Sequence, residues 1–168
     1  MRERHASRGA RRAREFEAFV AGAAGRLLHA ATLLTAEPPD DHPRARRLLA
    51  LSLAHTYACW DRLRGEDPYD LARRYLVTRF ARESRHRYGG GLGRSRRRPA
   101  GPLGGLDPQE RLVLVLRLYE GVAEEQTAAL LGLPVARVRT LCDRATAAVL
   151  HPSAGPVRPV TQAKAATP

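Results

Sequence analysis

Lysine is almost missing from this chain of 168 residues: Lys164 is the only one, so nearly all of the 29 Lys+Arg side chains are arginine. Only 17 acidic residues oppose them, leaving a net charge of +12. Arginine keeps its charge and forks onto phosphate oxygens, so the imbalance points to a polyanionic partner. Cysteine is scarce too. Cys59 and Cys142 lie far apart with no framework spacing, which excludes a disulfide scaffold and fits a reducing cytoplasm. Three Phe, one Trp and five Tyr are too few for a sheet that stacks single-stranded bases. No apolar run approaches the roughly 20 residues of a bilayer span, so no membrane insertion is expected. The basic start, residues 1–14, has no apolar stretch behind it of the kind a secretory leader needs. What remains is enough for a core: 43% of residues are hydrophobic, in a length that suits one ordinary domain or two small ones.

Charge and glycine divide the chain. Residues 1–15 hold six Arg and two Glu, net +4, and residues 82–98 hold seven Arg and one Glu, net +6. Half of the 14 glycines fall in 89–105, within YGGGLGRSRRRPAGPLGG, a stretch that cannot bury apolar surface and reads as a linker. Its Arg94, Arg96, Arg97 and Arg98 suit either solvent or nucleic acid. The prolines and small residues from Pro152 onward read as a disordered tail. The expected organisation is therefore a disordered basic arm at 1–13, a helical domain at 14–85, a linker at 86–105, a second helical domain at 106–150 and a tail at 151–168.

Both ordered blocks carry helical periodicity, and no run alternates with period two, so the fold class is all-α. Phe16, Phe19, Val20, Ala23, Leu27, Ala31 and Leu34 form one stripe, which Pro38-Pro39 ends. Leu49, Leu53, Tyr57, Trp60 and Leu63 form a second, closed by Gly65. Tyr57 and Trp60 are thereby expected in the core. Asp67 and Pro68 open a third helix with Ala72, Leu76 and Phe80 inward. In the second block, Asp107-Pro108 opens a helix that stops at Gly121. A short helix follows from 123 or 124 to Leu131, and the last helix runs from about Val135 to Leu150.

The segment EEQTAALLGLPVARVRTLCDRA has the pattern of a helix-turn-helix. Small Ala128 allows close helix approach, Gly132 supplies the positive φ of a sharp turn, Pro134 sets re-entry, and Val138 seals the pair. Arg137, Arg139, Thr140 and Arg144 are left on the outer side, where a recognition helix meets the major groove. The last helix holds three Arg and one Asp, net +2, while Glu120, Glu124 and Glu125 sit on its supports.

Enzymatic chemistry finds no foothold. His5, His29, His42, His86 and His151 form no catalytic constellation. The GGGLG run lacks the Lys-Ser/Thr that a phosphate-cradling loop requires. His55 and Cys59 stand four apart, but no further ligand completes the set of about four that zinc needs. No metal, cofactor or small-molecule substrate is expected.

LDPQERLVLVLRLYEGVAEEQTAALLGLPVARVRTLCDRA resembles the fourth-region domain of extracytoplasmic-function (ECF) RNA polymerase sigma factors. FEAFVAGAAGRLLHAATLLT, LALSLAHTYACWDRLRGEDP and ARRYLVTRF resemble their second-region domain, and the Arg- and Ala-rich composition is similar to that of actinobacterial members. The resemblance implies a cytoplasmic, non-enzymatic subunit that directs promoter-specific initiation. Its partners would be core RNA polymerase, promoter DNA and an anti-sigma protein. It places Arg139, Thr140 and Arg144 on minus-35 contacts, with Arg137 an additional phosphate contact. Arg73, Arg74, Thr78, Arg79 and Arg82 follow the minus-10 region, and Leu48, Leu49, Ser52 and His55 the polymerase-binding stretch. Thr78 stands where the family commonly has Asn, and Leu141 where a base is common. Pro43, Arg44, Arg46 and Arg47 replace an acidic run. These departures leave an alternative, a sigma-like regulator without full initiation activity. The expected picture is two compact helical bodies on a flexible strap, gripping elements roughly 50 Å apart. A 20-residue strap relaxes to about 25 Å and reaches about 66–72 Å when extended, so something must hold it stretched.

Overall fold

The computed structural model describes residues 2–38, 40–63, 65–89 and 101–152, the side chains of 2–6 and 87–89 excepted. Among them the elements are helical: α1 (Arg2–Thr35), α2 (Pro43–Cys59), α3 (Pro68–Gly89), α4 (Pro108–Leu114), α5 (Glu124–Leu131) and α6 (Val135–Leu150). A 3-10 turn, Trp60–Arg62, extends α2, and a single π-helical turn, Val115–Tyr119, extends α4. The all-α class is as the periodicity requires.

Helix α1 buries Ala23, Leu27, Ala30, Ala31 and Leu34 at three- and four-residue steps. Fully burying one leucine of this kind contributes about 1.5–3 kcal/mol. Its segment Ser7–Thr35 is, by length and composition alone, long and apolar enough to cross a membrane. The buried stripe supplies the reason: these residues face α2 and α3 in the protein core. The helix also starts at Arg2, so the basic arm continues α1 instead of standing apart. Arg, Ala and Glu are strong helix formers. Arg12 fastens the segment to the end of α2, bonding the Asp61 carboxylate at 2.8 Å and the Tyr57 carbonyl.

Helix α2 turns inward a face one residue away from the expected stripe. Ala45, Leu48, Ser52 and Thr56 are buried, while Leu49 and Leu53 are half-buried. Small inward residues suit a helix held between α1 and α3. The buried hydroxyls donate to their own helix, Ser52 to the Leu48 carbonyl at 2.8 Å and Thr56 to the Ser52 carbonyl at 2.9 Å. Tyr57 and Trp60 therefore leave the central core. They join Phe16 and Phe19 in an aromatic cluster at the bundle's end, where Tyr57 remains 38% exposed. Helix α3 starts as its sequence requires, with Asp67 accepting the Tyr69 N–H at 2.9 Å, and it buries Ala72, Leu76, Val77 and Phe80.

The C-terminal unit does not stand apart from this bundle. The stretch Leu112–Leu116 is apolar throughout and entirely buried. A helix apolar on all sides needs neighbours on all sides. Val113 packs toward α5 and α6, with Ala128, Val138 and Leu141. Leu112, Leu114, Val115 and Leu116 join Leu27, Leu34, Leu76 and Phe80 in one core that runs through both units. The end of the expected linker is part of it. Leu103 and Leu106 are buried, and the Gly101 N–H donates to the Ala36 carbonyl at 2.8 Å. The expectation of separated bodies is thus corrected: the described form is closed, because α4 has too much apolar surface for its own unit to cover. The remainder of the linker expectation, at 90–100, and the tail from 153 lie outside the described residues.

Candidate nucleic-acid interface

The helix-turn-helix forms for local reasons. Helix α5 ends at Gly132, whose φ of 65° is left-handed, and the Leu133 N–H returns to the Ala128 carbonyl at 3.0 Å. Pro134 then starts α6. Buried Ala128 and Val138 close the angle between the two helices. Leu141 is also buried, at 1% exposure, so the leucine at a position where a base is common is a core residue here.

At 3.6 residues per turn, the outer face of α6 runs from Arg139 through Asp143, Ala136 and Thr140 to Arg144 and Arg137. All six are exposed. The four expected contacts therefore share one surface, but differ in their bonds. Arg139 sits at one edge, paired with Glu124 of α5 at 2.9 Å. Thr140 is central, its hydroxyl bonded to the Ala136 carbonyl. Arg137 and Arg144 occupy the other edge, beside a cleft of about 370 Å³ that Ala81, Ser84 and Arg85 of α3 line from the opposite side. Arg144 is committed there. Its Nε lies 2.5 Å from Glu110 Oε1, while Glu110 Oε2 accepts the Asp107 N–H at 2.8 Å. It thus braces the start of α4.

The second expected group divides. Exposed Arg74 and Arg82 and half-buried Thr78 share a stripe of α3 with exposed Arg85, a residue missed because it falls next to the linker. Arg74 lies 3.6 Å from Glu66, and Arg79 bonds Glu83 at 2.9 Å. The Thr78 hydroxyl donates to the Arg74 carbonyl at 2.9 Å. Arg73 is elsewhere. It points toward the C-terminal unit, held by Asp70 at 2.8 Å and facing Glu120 at 3.7 Å.

The expected polymerase-binding set is corrected in part. Leu48 and Ser52 are buried in the bundle, at 2% and 0% exposure, and offer no surface to a partner. Leu49 and His55 are half-buried. The His55 ring stacks on Tyr75 with centroids 4.3 Å apart, and its Nε2 lies 3.9 Å from Cys59 Sγ. Among the described residues no group of three potential metal donors gathers around them.

The chain thus has two helical units, the second built on a helix-turn-helix with a cationic outer face. Residues 103–149 match the family described as Sigma-70, region 4. Among solved structures, the chain resembles the sigma factor RpoE in its co-crystal structure with the anti-sigma factor NepR from Bartonella quintana. The TM-score is 0.60 at 18% identity, covering 82% of this chain and 95% of that one. None of the curated proteins matches this chain in sequence. The family match covers the C-terminal unit alone, and the structural likeness shows a shared helical fold.

Proposed function

We propose that the chain directs promoter-specific transcription initiation in the cytoplasm, binding core RNA polymerase and the minus-10 and minus-35 promoter elements. One observation carries this reading: a region 4 helix-turn-helix whose recognition helix presents Arg139, Thr140 and Arg137 on one open face. In that role α6 enters the major groove of the minus-35 duplex, and Arg139 exchanges Glu124 for a base or phosphate. The α3 stripe of Arg74, Thr78, Arg82 and Arg85 meets the minus-10 strand. An anti-sigma protein is a further partner, as it is for the similar RpoE.

The test combines purified chain with core polymerase from its host on genomic templates. Promoter-specific transcripts are the expected result. Arg139→Ala is expected to weaken duplex binding by about 1–3 kcal/mol if the guanidinium reads a base, and affinity should fall steeply with salt. The burial of Leu48 and Ser52 favours a second reading, a sigma-like regulator without full initiation activity. Stable DNA binding with no transcript would select it and sink the first.

A further inference from the structure

The cleft between α3 and α6 has a chemistry of its own. Its volume of about 370 Å³ falls within the span of small-molecule sites, roughly 300–1,000 Å³. Helices α3, α4, α5 and α6 all contribute to its lining, so no single stretch of sequence displays it. Ala81, Leu112, Leu131, Leu133 and Leu141 supply an apolar interior. Leu112 and Leu141 are buried, while Leu131 and Leu133 are half-buried at the turn between α5 and α6.

Charge gathers at the rim. Arg85 on the α3 side and Arg137 on the α6 side are exposed, and among the described residues neither pairs with a carboxylate. Arg144 adds a third guanidinium, its side chain 55% exposed. Two acids also line the cleft. Glu110 has both oxygens engaged, one by Arg144 and the other by the Asp107 N–H, and Asp107 is exposed at the start of α4. Three arginines against two acids leave the lining at net +1. The buried Ser84 brings a hydroxyl to the α3 wall.

An apolar interior under a cationic rim selects its ligand. A cation would meet Arg85 and Arg137. A nucleobase would find no aromatic ring among the lining residues on which to stack. An acyl or aryl body covers the leucines, and one carboxylate suits the planar fork of an arginine. We propose that this cleft binds an amphipathic monoanion, a medium-chain acyl or aryl carboxylate. Arg137 also belongs to the outer face of α6, so an occupied cleft withdraws it from duplex DNA. That consequence rests on the function proposed above; the site itself does not.

The experiment titrates the full chain with decanoate and with 2-naphthoate by calorimetry. Saturable binding of one carboxylate per chain is expected, with hexanoate weaker than decanoate by about tenfold or more. Arg85→Gln and Arg137→Gln should each weaken decanoate about tenfold. Arg14→Gln, which removes an exposed arginine from α1, should leave it unchanged. No saturable binding of either carboxylate would overturn the site. So would equal binding of decyltrimethylammonium, wild-type affinity in both rim variants, or an equal loss in Arg14→Gln. A labelled random-sequence duplex reads the consequence for DNA, and saturating decanoate is expected to weaken its binding. Unchanged duplex affinity would overturn the competition. Absence of duplex binding with or without decanoate would refute the proposed function while the site stood.

Discussion

Arg144 and Arg139 share a helix face, yet their replacement should have different consequences. The Arg144 Nε bonds Glu110 Oε1 at 2.5 Å, and the Glu110 side chain is only 9% exposed. Arg144→Ala leaves that carboxylate desolvated beside the first turn of α4, still accepting the Asp107 N–H. A fully buried broken pair costs about 3–5 kcal/mol and an exposed one about 0–1. Because the Arg144 side chain is 55% exposed, solvent screens it, and about 1–2 kcal/mol is the expected loss. That corresponds to a fall in Tm of about 2–8 °C for a cooperative unit of this size. Arg139→Ala breaks a more solvated pair with Glu124 and should cost under about 1 kcal/mol. Thermal melts followed by circular dichroism compare the two. A double-mutant cycle with Glu110→Gln isolates the pair. A coupling energy near zero, or an Arg139→Ala melt lower than that of Arg144→Ala, would refute the assignment of Arg144 to bracing.

Two further outcomes follow from backbone and titration. Gly132→Ala places a side chain in open space but at a φ of 65°, so it should destabilise by about 1–2 kcal/mol, measured by urea unfolding. Burial and the adjoining Glu120 carboxylate hold the Tyr69 phenol well above its ordinary 10.0. Its neutral form is therefore favoured in the folded chain. The stability this contributes is complete below about pH 10 and is lost as pH rises above it, when the unfolded chain sheds the proton. Alkaline titration of absorbance should show Tyr69 ionising late, and Tyr69→Phe should flatten that part of the alkaline stability profile.

The aromatic cluster shows how a correct periodicity can still misplace residues. Phe16, Phe19, Tyr57 and Trp60 do meet one another, as their spacing suggests, but at the bundle's end. On α2 the small residues Ala45, Ser52 and Thr56 occupy the centre, because a helix between two others needs thin contacts more than large ones. Apolar spacing alone ranks Leu49 and Leu53 above them. The candidate DNA face was more legible. Ala128, Gly132, Pro134 and Val138 define the helix-turn-helix geometry through local conformational limits, and Arg137, Arg139, Thr140 and Arg144 are exposed on it. Their bonds were not legible, since Glu110 lies 34 residues from Arg144 and Glu120 lies 51 from Tyr69.

By itself the sequence determined the helices, their caps and turns, and the cationic outer face of α6. These depend on φ restrictions, capping groups and periodicities that act within a few residues. Tertiary structure alone decided that the units close on each other, that Arg73 and Arg144 are occupied, and that Leu48 and Ser52 are interior. The uniformly apolar Leu112–Leu116 stretch signalled that α4 needs cover on all sides. Which surface supplies that cover depends on packing between residues distant in the chain, and local pattern carries no record of it.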